Sequence, residues 1–442
     1  SSDLVVHICF LIISMCSFGS KCPVSDWLFG LLIQFHFLEI GMKSWVRVSV
    51  WMFSALAALS TSAQTPIRIG EINSYSAIPQ FTQPYKQGWQ LAVEEINAAG
   101  GLLGRKVEVI ARDDAGKPED ALRHAIELSS QEKVDVLAGG FLSNVGLALA
   151  DHAAKNKRLF VASEPLTDAL VWDKGNRYTF RLRPSTYMQS AMLVEEAAKL
   201  PAKRWATIAP NYEYGQSAVA SFKELLKAKR PDVEFVSEQW PAQGKIEAGS
   251  TLTATMANKP DAIFNVTFGA DLAKLVREGN QRNVFPKTPV VSLLSGEPEY
   301  LEVLKDETPK GWIVTGYPWD QLDNKEHASF AANYYKKFNE NPKVGSVVGY
   351  ATMQAIFAGI KKANSTDNEK LVTAMRGLKF VTPFGPAEFR AIDQQSTMGA
   401  YVGKLDLRGG KGTMVQWRYA DGKSYQPTDA YVKARRPADA MK

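Results

Sequence analysis

Cysteine is almost absent from this chain. The 442 residues include three cysteines, Cys9, Cys16 and Cys22, and all three precede the segment that we interpret below as a signal peptide. The mature chain would then contain none, which excludes disulfides, zinc–thiolate sites and cysteine nucleophiles. It also argues against lipid attachment at a mature N-terminal cysteine.

Histidine and the common catalytic motifs are equally scarce. His124, His152 and His327 each lie in a helical pattern, and we interpret them as surface helix residues rather than metal ligands or bases. The chain has no GxSxG, P-loop or HExxH motif. The loop after the first predicted strand, residues 73–77, lacks the glycines of a dinucleotide site. We therefore expect no cofactor, no metal and no enzyme.

Charge of one sign is not concentrated anywhere. The net charge is +6, but no run of five or six like charges occurs, so nucleic acid is not indicated as a partner. About 380 residues remain after the signal peptide, which is too long for one hydrophobic core and suits two.

A signal peptide is predicted at residues 42–63. A short positive segment, Met42–Arg47, precedes the apolar run Val48–Leu59, and small residues then favour cleavage before Gln64. The alternative is a membrane anchor, but this run is too short to cross about 30 Å of hydrocarbon. Residues 1–41 are interpreted as spurious or unstructured upstream sequence, with an additional anchor as the alternative. The expected location is the periplasm.

Strand and helix patterns alternate from Ile67 onward. The alternation restarts after Ser185, and two strands around Gly409 and Gly410 form a predicted hairpin near the end. Such alternation predicts an α/β fold with two doubly wound parallel-sheet lobes.

One segment is especially informative. Residues 96–114, INAAGGLLGRKVEVIARDD, follow the helical pattern PYKQGWQLAVEE, and their glycines end the helix before a strand. This sequence resembles that of the branched-chain amino-acid (leucine/isoleucine/valine) type of periplasmic binding protein. Proteins of this type are the ligand receptors of ABC importers. Further similarity lies in FRLRPSTYMQ, YEYGQS, GYATMQAIFAGIKKA and TPFGPAEFRAIDQQ, so that it covers nearly all of residues 66–420.

The resemblance implies a type I periplasmic binding fold with a three-crossing hinge and a ligand cleft between two lobes. Lobe 1 would hold residues 66–182 plus 320–383, and lobe 2 residues 183–319 plus 384–435. The expected partners are a small carboxylate ligand and a membrane permease. The receptor is expected to be a monomer.

Ligands of open parallel sheets bind beyond the carboxyl ends of the strands. Residues just past the predicted strands, together with the positions that the resemblance matches, give the candidate ligand-binding set. These residues are Tyr75, Phe141, Ser143, Asn144, Ser163, Glu164, Tyr214, Phe268 and Leu294.

Several candidates have a structural alternative. The resemblance places Ser143 at the ligand carboxylate, but Ser143 or Asn144 would equally serve as a helix N-cap. Ser163 matches the second carboxylate loop less well. Tyr214 and Phe268 fall on positions where the family offers aromatic ligand contacts, and packing between the lobes is the alternative for both.

Leu294 bears on the ligand class. The resemblance places it where amino-acid receptors carry the acid that pairs with the ligand ammonium, so the ligand would lack an α-amino group. A shift by one loop would bring Glu297 there instead, and Glu164 offers an acid from lobe 1.

The sequence thus predicts a periplasmic receptor that binds an aromatic or branched acid, or a hydrophobic amino acid, and closes its lobes over it. The alternatives are a sensor domain for a membrane signalling partner and, less favoured, an α/β enzyme.

Overall fold

The computed structural model describes residues 65–438 and residue 440, the described chain. Its first part forms one sheet and the helices that connect its strands. The strands are β1 (Ile67–Asn73), β2 (Val107–Asp113), β3 (Val136–Gly139), β4 (Phe160–Ala162) and β5 (Thr179–Arg181), and the helices are α1 (Pro79–Ala98), α2 (Pro118–Ser130) and α3 (Ser143–Lys155). All five strands are parallel, in the order β2-β1-β3-β4-β5. This sheet defines lobe 1.

A second sheet defines lobe 2. Its strands are β6 (Arg204–Ile208), β7 (Glu234–Gln239), β8 (Ala262–Asn265), β9 (Val290–Gly296), β10 (Ile313–Gly316), β13 (Ala400–Arg408) and β14 (Lys411–Ala420). The order is β14-β13-β10-β9-β8-β6-β7, with β6 to β10 parallel. The β13–β14 hairpin adds antiparallel strands at one edge, as the sequence predicts.

Helices surround the second sheet and then return to lobe 1. Lobe 2 carries α4 (Thr186–Ala197), α5 (Glu213–Lys229), α6 (Ala248–Ala257), α7 (Gly269–Gln281) and α8 (Pro298–Leu304). The later elements are α9 (Lys325–Phe338), α10 (Val344–Ala363), α11 (Asn368–Met375), the strand pair β11 (Lys379–Thr382) and β12 (Gly385–Glu388), and α12 (Asp429–Arg435).

Helix α10 completes lobe 1 by crossing α1 at very close range. A Cβ atom added at Gly88 would lie 2.0 Å from the carbonyl oxygen of Ser346, and one at Gly349 would lie 2.0 Å from that of Tyr85. Only glycine permits this approach, because any side chain would collide with backbone. The contact fixes α1, which carries one wall of the cleft described below.

Three connections join the lobes. The chain leaves lobe 1 between β5 and α4, returns between β10 and α9, and leaves again between β12 and β13. The first and third connections are tied together, since Arg181 Nε donates to Gln395 Oε1 at 2.5 Å and Gln395 Nε2 donates to the carbonyl oxygen of Arg183 at 2.9 Å. The architecture is that of a three-crossing hinge, whereas the exact lobe boundaries stay a prediction.

The structure corrects two expectations about local structure. His152 and His327 are buried rather than on the surface, and His327 Nε2 lies 2.6 Å from the hydroxyl of Tyr317. Helix α8 is absent from the predicted elements because its seven residues are too few for a clear apolar period.

The predicted signal peptide and upstream segment, residues 1–63, lie outside the described chain. Among the helices that are described, none is both long enough and apolar enough to cross a bilayer.

A carboxyl group lies in the core of lobe 1. Glu71 on β1 is fully buried and accepts hydrogen bonds from the hydroxyl of Tyr75 and, at 3.3 Å, from Asn73 Nδ2. Burial raises its pKa from the ordinary 4.5 to about 8, against the lowering effect of those two donors. Between these pH values the folded chain holds a proton on Glu71 that the unfolded chain has released.

This proton predicts a pH-dependent stability. The free energy of unfolding should fall as the pH rises from about 5 to about 8, because the folded state binds the extra proton. Glu71→Gln replaces the protonated acid by a neutral amide, so urea unfolding of this variant should show a flatter pH dependence. The exposed Glu326→Gln is the control. An unchanged slope in Glu71→Gln would contradict the assignment.

Candidate functional site

A cleft of about 340 Å³, its open side included, lies where the carboxyl ends of the two sheets face each other. Both lobes and the first connection contribute to its wall. The lining residues are Phe81, Phe141, Ser143, Glu164, Leu166, Arg183, Tyr212, Tyr214, Phe268, Leu294 and Tyr300.

Aromatic rings dominate this wall. In lobe 2 the Tyr214 ring lies 6.1 Å from Tyr212 and 5.7 Å from Phe268, between ring centroids. In lobe 1 the rings of Phe81 and Phe141 meet edge to face at 5.1 Å. Packing among these rings holds each in place, so the cleft offers a preformed apolar surface to a flat or branched group.

A buried ion triad crosses the cleft. Arg183 Nη1 donates to Glu164 Oε2 at 2.8 Å, and Nη2 donates to Glu297 Oε1 at 2.6 Å. Glu164 follows β4 in lobe 1, Glu297 follows β9 in lobe 2, and Arg183 lies on the first connection between them. The guanidinium side chain is 8 % exposed and both carboxylates are 2 % exposed. One cation therefore serves two carboxylates from opposite lobes.

Burial shifts the titration of all three groups. It raises the pKa of Glu164 and of Glu297 to about 7 each, although Arg183 favours their charged forms. Burial alone would lower the pKa of Arg183, but Glu297 and Glu164 hold it above its ordinary value. The triad thus gains negative charge as the pH rises through 7.

The triad and its surroundings leave polar atoms unpaired. Glu164 Oε1, Glu297 Oε2 and the Tyr214 hydroxyl are buried and have no hydrogen-bond partner. Buried polar atoms are nearly always paired in folded proteins, so unpaired ones next to a cleft indicate the place of a ligand donor or of water.

Ser143 offers a contact of another kind. It is the first residue of α3, and its hydroxyl accepts a hydrogen bond from the backbone N–H of Thr167 at 3.2 Å. The N-cap residue is Leu142, so neither Ser143 nor Asn144 has that role. The first turn of a helix presents free N–H groups and a positive dipole end, which suit a carboxylate.

The structure brings six of the nine candidate residues together in the wall of the cleft. They are Phe141, Ser143, Glu164, Tyr214, Phe268 and Leu294. Their role in ligand binding stays a prediction.

Three candidates lie outside this wall. Tyr75 turns toward the core of lobe 1, where it donates to Glu71 and accepts from Trp89 Nε1 at 3.0 Å. Ser163 is fully buried beneath the cleft, with its hydroxyl 2.9 Å from that of Tyr85. Asn144 is half-buried in the first turn of α3. Position after a strand predicted the loop correctly, but not the direction of each side chain.

The region around Leu294 differs from expectation. Strand β9 continues to Gly296, so Leu294 lies within the strand and not, as the sequence predicted, just past its end. Its φ of 65° marks an irregularity there, and its N–H donates to Thr315 Oγ1 at 2.9 Å. The first residue past the strand is Glu297. Leu294 lines the cleft, as expected, while Glu297 is paired with Arg183 in the ion triad. The expectation that the ligand lacks an amine stays a prediction.

Five residues of the wall were not among the candidates: Phe81, Leu166, Arg183, Tyr212 and Tyr300. Arg183 lies next but one to Arg181 in FRLRPSTYMQ, and nothing in the sequence alone distinguishes these two arginines. Tyr212 lies two residues before the candidate Tyr214, in the loop predicted after the same strand. Tyr300 belongs to α8, which sequence periodicity did not reveal.

Over residues 65–438, no three His, Cys, Asp or Glu side chains are grouped as a metal site requires.

Comparisons with known proteins agree with this architecture. Residues 66–413 match the family model described as periplasmic binding protein. The "Amino acid binding protein" of Pseudomonas aeruginosa is 22 % identical over 346 residues, covering 76 % of this chain and 89 % of that one. The "Leu/Ile/Val-binding protein homolog 7" of Brucella abortus is 22 % identical over 390 residues, covering 84 % and 93 %.

Solved structures share the fold. A solute-binding protein of an ABC transporter from Rhodopseudomonas palustris, in complex with 3,4-dihydroxybenzoic acid, superposes with a TM-score of 0.73 at 23 % identity, covering 81 % of this chain and 98 % of that one. Another from R. palustris, in complex with benzoate, gives 0.71 at 22 % identity, covering 80 % and 98 %.

The ion triad generates a stability prediction. Arg183→Met leaves two buried carboxylates without their cation, which should cost about 3–5 kcal/mol of unfolding free energy at neutral pH. The loss should shrink near pH 5, where the carboxyl groups are protonated.

Urea unfolding at both pH values measures this effect. The matched control is Arg282→Met, which removes a surface ion pair to Glu278 and should cost at most about 1 kcal/mol. A loss for Arg183→Met that is equal at both pH values would contradict the role given to the charges.

Proposed function

The chain belongs to the periplasmic binding protein family, and we propose that it binds a small hydrophobic α-amino acid between its lobes and delivers it to the membrane permease of an ABC importer. Members of this family are solute receptors and not enzymes. The observation that carries the ligand class is the ion triad, which brings two carboxylates and only one cation to the cleft.

The charge balance supports an ammonium group on the ligand. With both carboxylates ionised, the triad has a net charge of −1, and Glu164 lines the cleft with one oxygen unpaired. An ammonium donating to that oxygen would satisfy the acceptor and neutralise the charge in a buried place, where an unpaired charge is costly.

The remaining wall supports the other parts of such a ligand. A ring or branched side chain would pack among Tyr212, Tyr214 and Phe268 and lose contact with water. The ligand carboxylate would lie at the first turn of α3, near Ser143, where helix N–H groups are available. Ammonium and carboxylate would thus both be held by lobe 1.

A second ligand class is an aromatic acid without an amine. Arg183 also lines the cleft, and two of the similar solved structures hold dihydroxybenzoic acid and benzoate. Such an anion would favour protonated Glu164, so its affinity should depend on pH in the opposite direction.

We further propose that the receptor works as a periplasmic monomer and closes by a hinge motion of the two lobes. A sensor for a membrane signalling partner would bind and close in the same way. Uptake of labelled ligand by cells with and without the receptor separates the two roles, because only an importer receptor is required for uptake.

Calorimetry at two pH values tests the ligand class. L-Phenylalanine and L-leucine should bind more tightly at about pH 8 than at about pH 6, because Glu164 loses its proton between them. Benzoate and 4-hydroxybenzoate should show the reverse trend. Glu164→Gln should weaken the amino acids by about 10–100-fold, the loss of a hydrogen bond to a charged group.

The exposed Glu326→Gln serves as the control and should bind like the wild type. Benzoate binding more tightly than either amino acid, with unaltered amino-acid affinity in Glu164→Gln, would assign the aromatic acid instead.

Closure of the two lobes can be tested separately, by measuring the size of the protein in solution. Because ligand contacts come from both lobes, saturating ligand should compact the protein, and small-angle scattering should record a smaller radius of gyration than in its absence. Glu164→Gln at the same ligand concentration should stay nearer the ligand-free value. Identical profiles with and without bound ligand would argue against a hinge.

A further inference from the structure

A second groove lies directly behind the ligand cleft. It runs between α7 and α8 of lobe 2, faces α1 of lobe 1, and encloses about 620 Å³ including its open side. Its lining includes Gln80, Gly269, Leu272, Glu299, Tyr300 and Leu304. Nothing in the proposed ligand contacts uses this space.

Groove and cleft share their walls. Gln80 lines the groove while Phe81 lines the cleft, and Gly269 lines the groove while Phe268 lines the cleft. In two separate elements, neighbouring residues thus face the two different spaces. Tyr300 belongs to the lining of both spaces.

Tyr300 is firmly placed in this position. It is 5 % exposed and lies in the first turn of α8, whose start is anchored by Glu297 of the ion triad. The backbone N–H of Tyr300 donates to the carbonyl oxygen of Glu297 at 3.0 Å. The position of Tyr300 therefore depends on Glu297, the carboxylate that lobe 2 contributes to the ion triad.

From this geometry we infer that Tyr300 determines ligand specificity by limiting ligand length, and that the groove behind it is an unused extension of the cleft. The inference rests on the proposed function, since it concerns the far end of the ligand's ring or side chain. Removing the Tyr300 side chain would join the two spaces and admit ligands with one further ring.

The groove has the chemistry to receive such an extension. Leu272 and Leu304 are buried in it, which gives an apolar surface for a ring. Glu299 contributes a buried carboxyl group, whose Oε1 accepts from the backbone N–H of Gly345 at 2.8 Å while Oε2 has no partner. An elongated ligand would therefore find both apolar side chains and a carboxyl group in the lining of the groove.

Two pairs of short and long ligands test the inference by calorimetry. They are L-phenylalanine with 4-phenyl-L-phenylalanine, and benzoate with biphenyl-4-carboxylate, so that the presence of an amine does not affect the test of length. The wild type should bind the short member of a pair and reject the long one. Tyr300→Ala should bind the long member at least about tenfold more tightly than the wild type does.

Controls separate length from general damage. Tyr300→Phe keeps the ring and should reject the long ligands as the wild type does. Val303→Ala alters an exposed residue of the groove without opening the wall and should leave selectivity unchanged. Tyr300→Val provides a second open variant, with urea unfolding to confirm that each variant is folded.

Each outcome decides between the possibilities. Wild-type affinity for a long ligand equal to that for its short partner, or open variants that still reject it, overturns the inference while the proposed function stands. A long ligand bound only by the open variants supports the inference, even if neither short ligand binds and the proposed ligand class fails. Absence of binding by every variant to all four ligands overturns both.

Discussion

The site depends on the bridge that Arg183 makes between Glu164 and Glu297. Two carboxylates from opposite lobes approach each other at the carboxyl ends of two sheets, and burial would make this unfavourable without a shared cation. Because Arg183 lies on a connection between the lobes, the neutralising charge belongs to neither lobe alone. The ion pairs between the two lobes, and the proposed recognition of the ligand ammonium, therefore depend on a single guanidinium.

Much of the fold was predictable because its signals are local. Strands and helices alternate over most of the described chain, and glycines mark the turns, so the two parallel-sheet units and the final hairpin follow from the sequence. What escaped prediction has no local signal of that kind. Helix α8 is short, and the extension of β9 past Leu294 depends on pairing with a neighbouring strand. Strand ends are set by such partners, which periodicity does not reveal.

The candidate site, like the fold, was predictable only where the signal is local. Position after a strand correctly identified loops at the cleft, and six candidate side chains line it. Position alone does not tell which way a side chain turns, so Tyr75 and Ser163 belong to a buried polar cluster of lobe 1 instead. The roles of Arg183 and Tyr300 could not be predicted from the sequence, because they depend on contacts between segments that are far apart in the chain.

The close crossing of α1 and α10 has a consequence for how the chain folds. Lobe 1 begins at β1, but its packing is complete only when α10, more than 200 residues later, lies against Gly88. The five parallel strands of lobe 2 and the helices that connect them, by contrast, lie within one continuous stretch, residues 186–316. Contacts between distant segments form slowly because closing a long loop costs entropy. The strands synthesised first therefore depend on a helix that is synthesised much later, and until α10 packs against α1 the incomplete lobe 1 exposes apolar surface that favours aggregation.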